Sequence, residues 1–116
     1  MVSSLPQKYV DGLNAASAEH VSKLFSLDSV FLGSDGVKRV GRKEIHDFYI
    51  QAFAKKKRTV SLGRVVESGH LIAFEVLVHT SPMGANGQAN ALDLVELDKE
   101  GLIAHKVVFY PPVREG

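Results

Sequence analysis

Ala89-Asn90-Ala91-Leu92-Asp93-Leu94-Val95-Glu96-Leu97, then Asp98-Lys99-Glu100-Gly101, then Leu102 to Tyr110, reads as two strands around a turn. Apolar and β-branched residues fill both runs, and the four residues between them have turn composition. Side chains alternate along a strand, so Ala91, Asp93, Val95 and Leu97 share one side, and their character makes it the buried one. A carboxylate placed there loses its hydration. It must find a charged partner, bind a metal or keep its proton. In the last case the acid becomes a hydrogen-bond donor, able to stabilise negative charge developing on a ligand oxygen.

Working outward, Thr59 to Val66 and Leu71 to Thr80 repeat the strand pattern, joined by Glu67-Ser68-Gly69-His70 and followed by a longer loop from Ser81 to Gln88. Four successive antiparallel strands result. The first half of the chain has a different period. Leu5, Tyr9 and Leu13 recur at helical spacing with Pro6 in the first turn, which predicts helix one. Ser17 is placed to cap a second short helix with Val21, Leu24 and Phe25 packing inward, before Asp28-Ser29 turns the chain. Val30-Phe31-Leu32 is a short strand, and Gly33-Ser34-Asp35-Gly36 a turn. The polar stretch to Gly41 leads into helix three, with Ile45, Phe48, Tyr49 and Ala52 on one side. Helices first and a meander afterwards predict an α+β domain, its helices covering one face of a curved sheet.

The chain has 116 residues, enough for one domain over 1–116 with one core. A formal charge of +1 gives no overall bias towards nucleic acid or acidic membranes. The Lys55-Lys56-Lys57-Arg58 run carries no interleaved aromatics and reads as a solvated helix end complementing the helix dipole. No cysteine is present, which excludes disulfides, thiolate chemistry and Cys-ligated metal. The stretch Met1-Val2-Ser3-Ser4-Leu5-Pro6-Gln7-Lys8 has neither a basic start nor a long apolar run, so a cytoplasmic protein without a membrane partner is expected. His20, His46, His70, His79 and His105 form no i, i+4 pair, so no metal site is expected. No glycine-rich phosphate loop or dinucleotide motif appears, which predicts a site working without a cofactor.

Three stretches carry a family likeness: Gln7-Lys8-Tyr9-Val10-Asp11-Gly12-Leu13-Asn14-Ala15, Gly41-Arg42-Lys43-Glu44-Ile45 through Phe48-Tyr49, and Leu92-Asp93-Leu94-Val95 ahead of Asp98-Lys99-Glu100-Gly101-Leu102-Ile103. With the order of elements, they resemble the ketosteroid isomerase-like and SnoaL-like branch of the nuclear-transport-factor-2-like superfamily. The resemblance implies one cone-shaped domain, three helices on a curved, mainly antiparallel sheet that encloses a pocket. It implies that Tyr9 and a protonated Asp93 donate hydrogen bonds to a carbonyl oxygen as it becomes an enolate, with Tyr49 supporting Tyr9. Ketosteroid isomerase is a well-known case of a carboxylic acid kept neutral by an apolar site, so this role for Asp93 rests on the resemblance alone. Tyr110, or Phe109, matches an aromatic that the family sends into the pocket from its last strand.

The family's general base stands just after the first strand. Counted from Val30 that place falls on Gly33, and counted back from Gly41 on Leu32, neither of which moves a proton. Asp35 is the nearest carboxylate, although its Ser34 and Gly36 neighbours also suit a solvated turn. Phe31, Leu32, Phe48, Phe74, Val76, Val78, Val95, Val108 and Tyr110 are the expected pocket wall, around a small hydrophobic carbonyl or phenolic molecule. Double-bond isomerisation, ligand binding without chemistry and epoxide hydrolysis all remain open. The last needs an Asp-Arg-Asp cluster, for which periodicity offers Arg58 and Arg64 only near a strand start. The family's outer sheet face commonly dimerises, which nominates Leu77, His79, Ile103, His105 and Val107 for a homodimer interface.

Overall fold

A computed structural model describes residues 4–55, 59–79 and 90–110. Helix α1 (Leu5–Ala15) has Pro6 in its first turn and ends at Ala16 in the left-handed conformation, φ 52°. Ser17 then caps α2 (Ala18–Ser22) by accepting from the His20 backbone N–H. Gly12 lets these helices touch. A Cβ added there would stand 2.7 Å from Val21 Cγ2 and 2.8 Å from His20 Cδ2. Strands β1 (Phe25–Leu32) and β2 (Lys38–Val40) form a hairpin, α3 (Arg42–Lys55) follows, and β3 (Val60–Ser68), β4 (Leu71–Val78), β5 (Ala91–Leu97) and β6 (Ile103–Phe109) complete the chain.

The six strands lie in the order β2-β1-β6-β5-β4-β3. The expected meander is present as β3 to β6, every pair antiparallel, while β1 joins the far side of β6 in parallel. The sheet is therefore mixed and unclosed, with the three helices packed on it. Phe25, Ile45, Ile72, Phe74 and Val95 lie fully buried between these layers, each apolar side chain contributing ~1.5–3 kcal/mol relative to exposure. Asp98 closes the β5–β6 turn by accepting from the Glu100 and Leu102 amides, with Gly101 at φ 82°.

Local expectations fail at two bulges and in the segments beside them. Helix α2 stops at Ser22, so Leu24 and Phe25 are not helical, and Asp28-Ser29 lies inside β1 instead of in a turn. The register of β1 against β6 shifts between Phe25 and Val30, and polar contacts occupy the irregularity. Ser29 donates to the Ser26 carbonyl at 2.8 Å, and Arg42 donates twice to the Phe25 carbonyl. Turn-like composition here marks a bulged strand. The second shift, between Glu96 and Leu97, sets Leu97 opposite Ile103 but Glu96 opposite His105. The extra residue turns Ile103 into the core instead of the outer face, while His105 stays exposed. Strand β2 also occupies part of the stretch read as a polar lead-in to α3. Lys56, Lys57, Arg58 and the Ser81 to Gln88 loop lie outside the described residues.

Candidate functional site

A cavity of about 260 Å³ opens between the helices and the inner face of the sheet. Tyr9, Tyr49, Asp93 and Asp35, drawn from four separate stretches of sequence, all reach its wall. Tyr9 projects from the buried side of α1, and Tyr49 stands one turn after the buried Ile45 on α3. Their hydroxyls meet at 2.7 Å. One hydroxyl donates to the other, so whichever does so, the pair has one hydrogen left for a third group. Burial is the main cause that raises the pKa of each. For Tyr9 the Tyr49 hydroxyl and the Asp93 charge add to it; for Tyr49 the bond from Tyr9 partly offsets it. Both are therefore proton donors at neutral pH.

Asp93 meets a charged partner. Lys106 Nζ stands 3.0 Å from Asp93 Oδ2, with both side chains essentially removed from solvent. Strand geometry explains the meeting. Asp93 faces Val108 across the β5–β6 hairpin and Lys106 faces Val95, so the two side chains share the inner face one diagonal apart. The ammonium also lies 4.7 Å from the centre of the Tyr9 ring and 4.8 Å from that of Phe31. Burial lowers the Lys106 pKa, and Asp93 opposes that shift without cancelling it. Oδ1 of Asp93 is buried and has no hydrogen-bond partner among the described residues. Nζ of Lys106 has none of hydrogen-bond alignment either, so the 3.0 Å contact is an ion pair without a well-directed bond.

Lys106 is a site residue that sequence reasoning missed. Its alternation with Val108 gives a usable signal, because a lysine and an aspartate on the inner faces of hairpin neighbours are bound to meet. The neutral acid implied by the resemblance must coexist with this amine, and an adjacent ammonium favours the carboxylate form.

The cavity mouth carries a second carboxylate–cation pair. Asp35 accepts from Arg39 Nη2 at 3.2 Å and from the Val37 amide at 2.9 Å. The Arg39 bond is the main cause that holds the Asp35 pKa below its usual range, which makes Asp35 a weaker base than an unpaired aspartate. Of the two places that the resemblance gives for the family's base, Gly33 lines the cavity and Leu32 does not. Arg39, which periodicity did not nominate, sits 4.1 Å over the Phe48 ring. Arg64 instead pairs with Glu75 on the outside of the sheet, and Arg58 is outside the described residues.

Of the expected wall, Phe31, Phe48, Val76, Val78, Val108 and Tyr110 line the cavity. Leu32, Phe74 and Val95 do not. Leu32 follows Phe31 on β1 and points to the other face, while Phe74 and Val95 are fully buried, Phe74 against the Tyr9 ring at 5.9 Å. Phe109 is on the outer face, which leaves Tyr110 as the last strand's aromatic at the cavity. Leu13 and Ala52, placed by helical spacing beside Tyr9 and Tyr49 but not named as wall, complete the helical side with Phe53, which was missed although it lies a turn from Tyr49. The Tyr49 ring stacks on Phe31 at 6.0 Å with an interplanar angle of 9° and meets Phe48 and Phe53 edge-on or tilted. No cluster of metal-ligating side chains occurs among the described residues.

Residues 7–106 match the SnoaL-like domain family. The chain belongs to that family. Solved structures share its fold as a SnoaL-like, ketosteroid isomerase-like α+β cone. A provisionally assigned ketosteroid isomerase from Kribbella flavida aligns with TM-score 0.77 and 19% identity, over 97% of this chain and 79% of its own. A provisionally assigned polyketide cyclase from Sinorhizobium meliloti aligns with TM-score 0.79 and 15% identity, over 93% and 95%. The epoxide hydrolase/cyclase-like enzyme SalBIII, of pyran ring formation in salinomycin, gives TM-score 0.76 and 16% identity over 93% and 88%. No curated protein matches the chain by sequence. Among the described residues of this SnoaL-like chain, no helix is long and apolar enough to cross a membrane.

Proposed function

We propose that the cavity binds a small apolar carbonyl or phenolic molecule whose oxygen accepts the hydrogen left over by the Tyr9–Tyr49 pair. The observation that carries this reading is the 2.7 Å hydroxyl contact at the wall of an aromatic-lined cavity. A donor already oriented by its neighbour loses little freedom when a ligand arrives. At about 260 Å³ the cavity is just below the ~300–1,000 Å³ typical of drug-sized ligands, which favours one or two rings over a complete steroid.

Binding is the core of the proposal and turnover its extension. With Gly33 or Leu32 where the resemblance puts the base, and Asp35 engaged by Arg39, isomerisation would be slow, since a positioned base contributes ~10²–10⁴-fold. Titration with 2-naphthol, with the larger phenol equilenin in parallel, tests binding, and conjugation of a β,γ-unsaturated cyclic ketone followed by absorbance tests turnover. Saturable binding of 2-naphthol with slow conversion is expected. Failure of both phenols to bind would remove the reading, and rapid conversion would show an effective base in place. Gly33→Asp is expected to speed conversion. An added Cβ would stand 3.0 Å from Asp35 Oδ1 and 3.3 Å from Arg39 Nη1, so those flexible ends must yield to it.

Epoxide opening is a second reading, favoured by Asp35 and Asp93 lining one cavity with Arg39 beside the first. Hydrolysis of a small epoxide that is lost in Asp35→Asn would support it. For assembly, the reading is a homodimer through the outer sheet face. Leu92 and Phe109 pair across β5 and β6 there, both about half exposed, next to Leu94 and Val107. Sedimentation of Leu92→Lys checks it, with a shift to monomer expected.

A further inference from the structure

We propose that Lys106 is a positioning residue that keeps Asp93 a carboxylate, so that the deep end of the cavity accepts a hydrogen bond and selects ligands bearing a neutral O–H. The inference rests on the reading that the cavity takes a carbonyl or phenolic molecule, and it reverses the part that Asp93 plays in it.

Three observations converge. Lys106 is fully buried and its only acidic neighbour within ion-pair distance among the described residues is Asp93, at 3.0 Å. A buried ammonium without a counter-charge is expensive, as is a buried carboxylate, so each stabilises the charged form of the other. The Tyr9 and Phe31 rings beside Nζ also favour a cation, against the burial that lowers the Lys106 pKa. Finally, Lys106 takes only one carboxylate oxygen. Oδ1 is left buried and unsatisfied on a residue that lines the cavity. A native polar atom in that state invites a partner, and a ligand in the cavity is placed to supply one.

The consequence for recognition is specific. A carboxylate accepts and does not donate, so at this end a phenolate or enolate oxygen meets like charge, whereas a neutral phenol gives its hydrogen to Oδ1. The Tyr9–Tyr49 pair can serve the same ligand oxygen as donor, and the two contacts together define a hydroxyl that both gives and receives. Other ionisable groups face Asp93 too: Tyr9 from α1, Tyr49 from α3 and Tyr110 beyond β6, with Asp35 and Arg39 at the mouth. Tyr9 and Tyr49 are held neutral by burial and Arg39 is already paired with Asp35, which leaves Lys106 to set the state of Asp93.

The infrared spectrum of the full chain at neutral pH, taken as the difference between wild type and Asp93→Asn, reads that state without any ligand. No carboxylic-acid C=O band should vanish on substitution, whereas in Lys106→Met such a band should appear. A band already present in wild type and lost in Asp93→Asn would overturn the proposal, as would its absence from a folded Lys106→Met. Should Lys106→Met fail to fold, the wild-type difference spectrum still decides. The absorption and emission of bound 2-naphthol give the second readout. Neutral naphthol should be the bound species, with affinity falling as pH passes the probe's own ionisation. Bound naphtholate, with affinity rising with pH, would contradict it. If naphthol does not bind, the reading of the cavity fails while the infrared result still decides the charge on Asp93.

Discussion

The cavity has a carboxylate–cation pair at each end, of nearly equal length and very different setting. Deep in the core, Lys106 and Asp93 are 3.0 Å apart with side chains 0% and 3% exposed; at the mouth, Arg39 and Asp35 are 3.2 Å apart and 19% and 49% exposed. Water screens the mouth pair, where side-chain ordering also offsets most of the Coulomb gain. The deep pair has no such screen. Its two charges depend on each other, and any ligand in the cavity meets them at low dielectric. The same chemistry is a solvent-screened loop clasp at one end and, on the proposed reading, a recognition element at the other.

Removing one partner from each pair gives the widest contrast. Lys106→Met should destabilise the fold by ~3–5 kcal/mol in urea melts, because Asp93 loses its buried counter-charge and must bind a proton to stay in the core. Adding Asp93→Leu to that variant should restore much of the loss. If the single variant melts like wild type, the deep pair is not the buried unit described here.

Next in size is Tyr49→Phe, which removes the partner of the Tyr9 hydroxyl and should cost about 1 kcal/mol. The tyrosines also set an alkaline limit. Their pKa values are raised in the folded state, so their contribution is complete below the ordinary tyrosine range near pH ~10 and is lost as pH rises, because the unfolded chain ionises first. Wild type should lose stability more steeply above that pH than Tyr49→Phe. Parallel curves would show that the hydroxyl is not held neutral by burial.

The smallest effect belongs to the mouth. Arg39→Met should change stability by less than about 1 kcal/mol. The Asp35 pKa is lowered in the fold, so whatever its pairing contributes is present above the ordinary aspartate range and disappears as pH falls through the folded value. Added salt should erase the difference between Arg39→Met and wild type while leaving that of Lys106→Met in place. Equal salt sensitivity at both ends would break the contrast.

The deep end is half legible from sequence. Strict alternation around Asp93 puts it inside, and the observed burial along β5 follows that alternation. Helical period places Tyr9 and Tyr49 on inner faces. What alternation cannot give is register. The bulges in β1 and at Leu97 shift inward and outward positions by one, which is why alternation alone sends Ile103 to the wrong face. Lys106 escapes notice for a different reason. Lysines are so rarely fully buried that its inward parity carries little weight until the carboxylate across the hairpin is set beside it. The mouth is less legible, since turn composition at Gly33 to Gly36 fits a solvated loop and a cavity rim equally well, and only the fold decides which it is.

The most direct test compares the two ends through one ligand. Titration of 2-naphthol into wild type, Tyr9→Phe, Asp93→Asn and Asp35→Asn at neutral pH separates them. Loss of about 1 kcal/mol of hydrogen bonding, roughly a five- to tenfold weaker affinity, is expected for Tyr9→Phe. Asp93→Asn should weaken binding at least as much, and Asp35→Asn should bind as wild type does. Weakened binding in Asp35→Asn, with Tyr9→Phe and Asp93→Asn unaffected, would place recognition at the mouth and contradict the account.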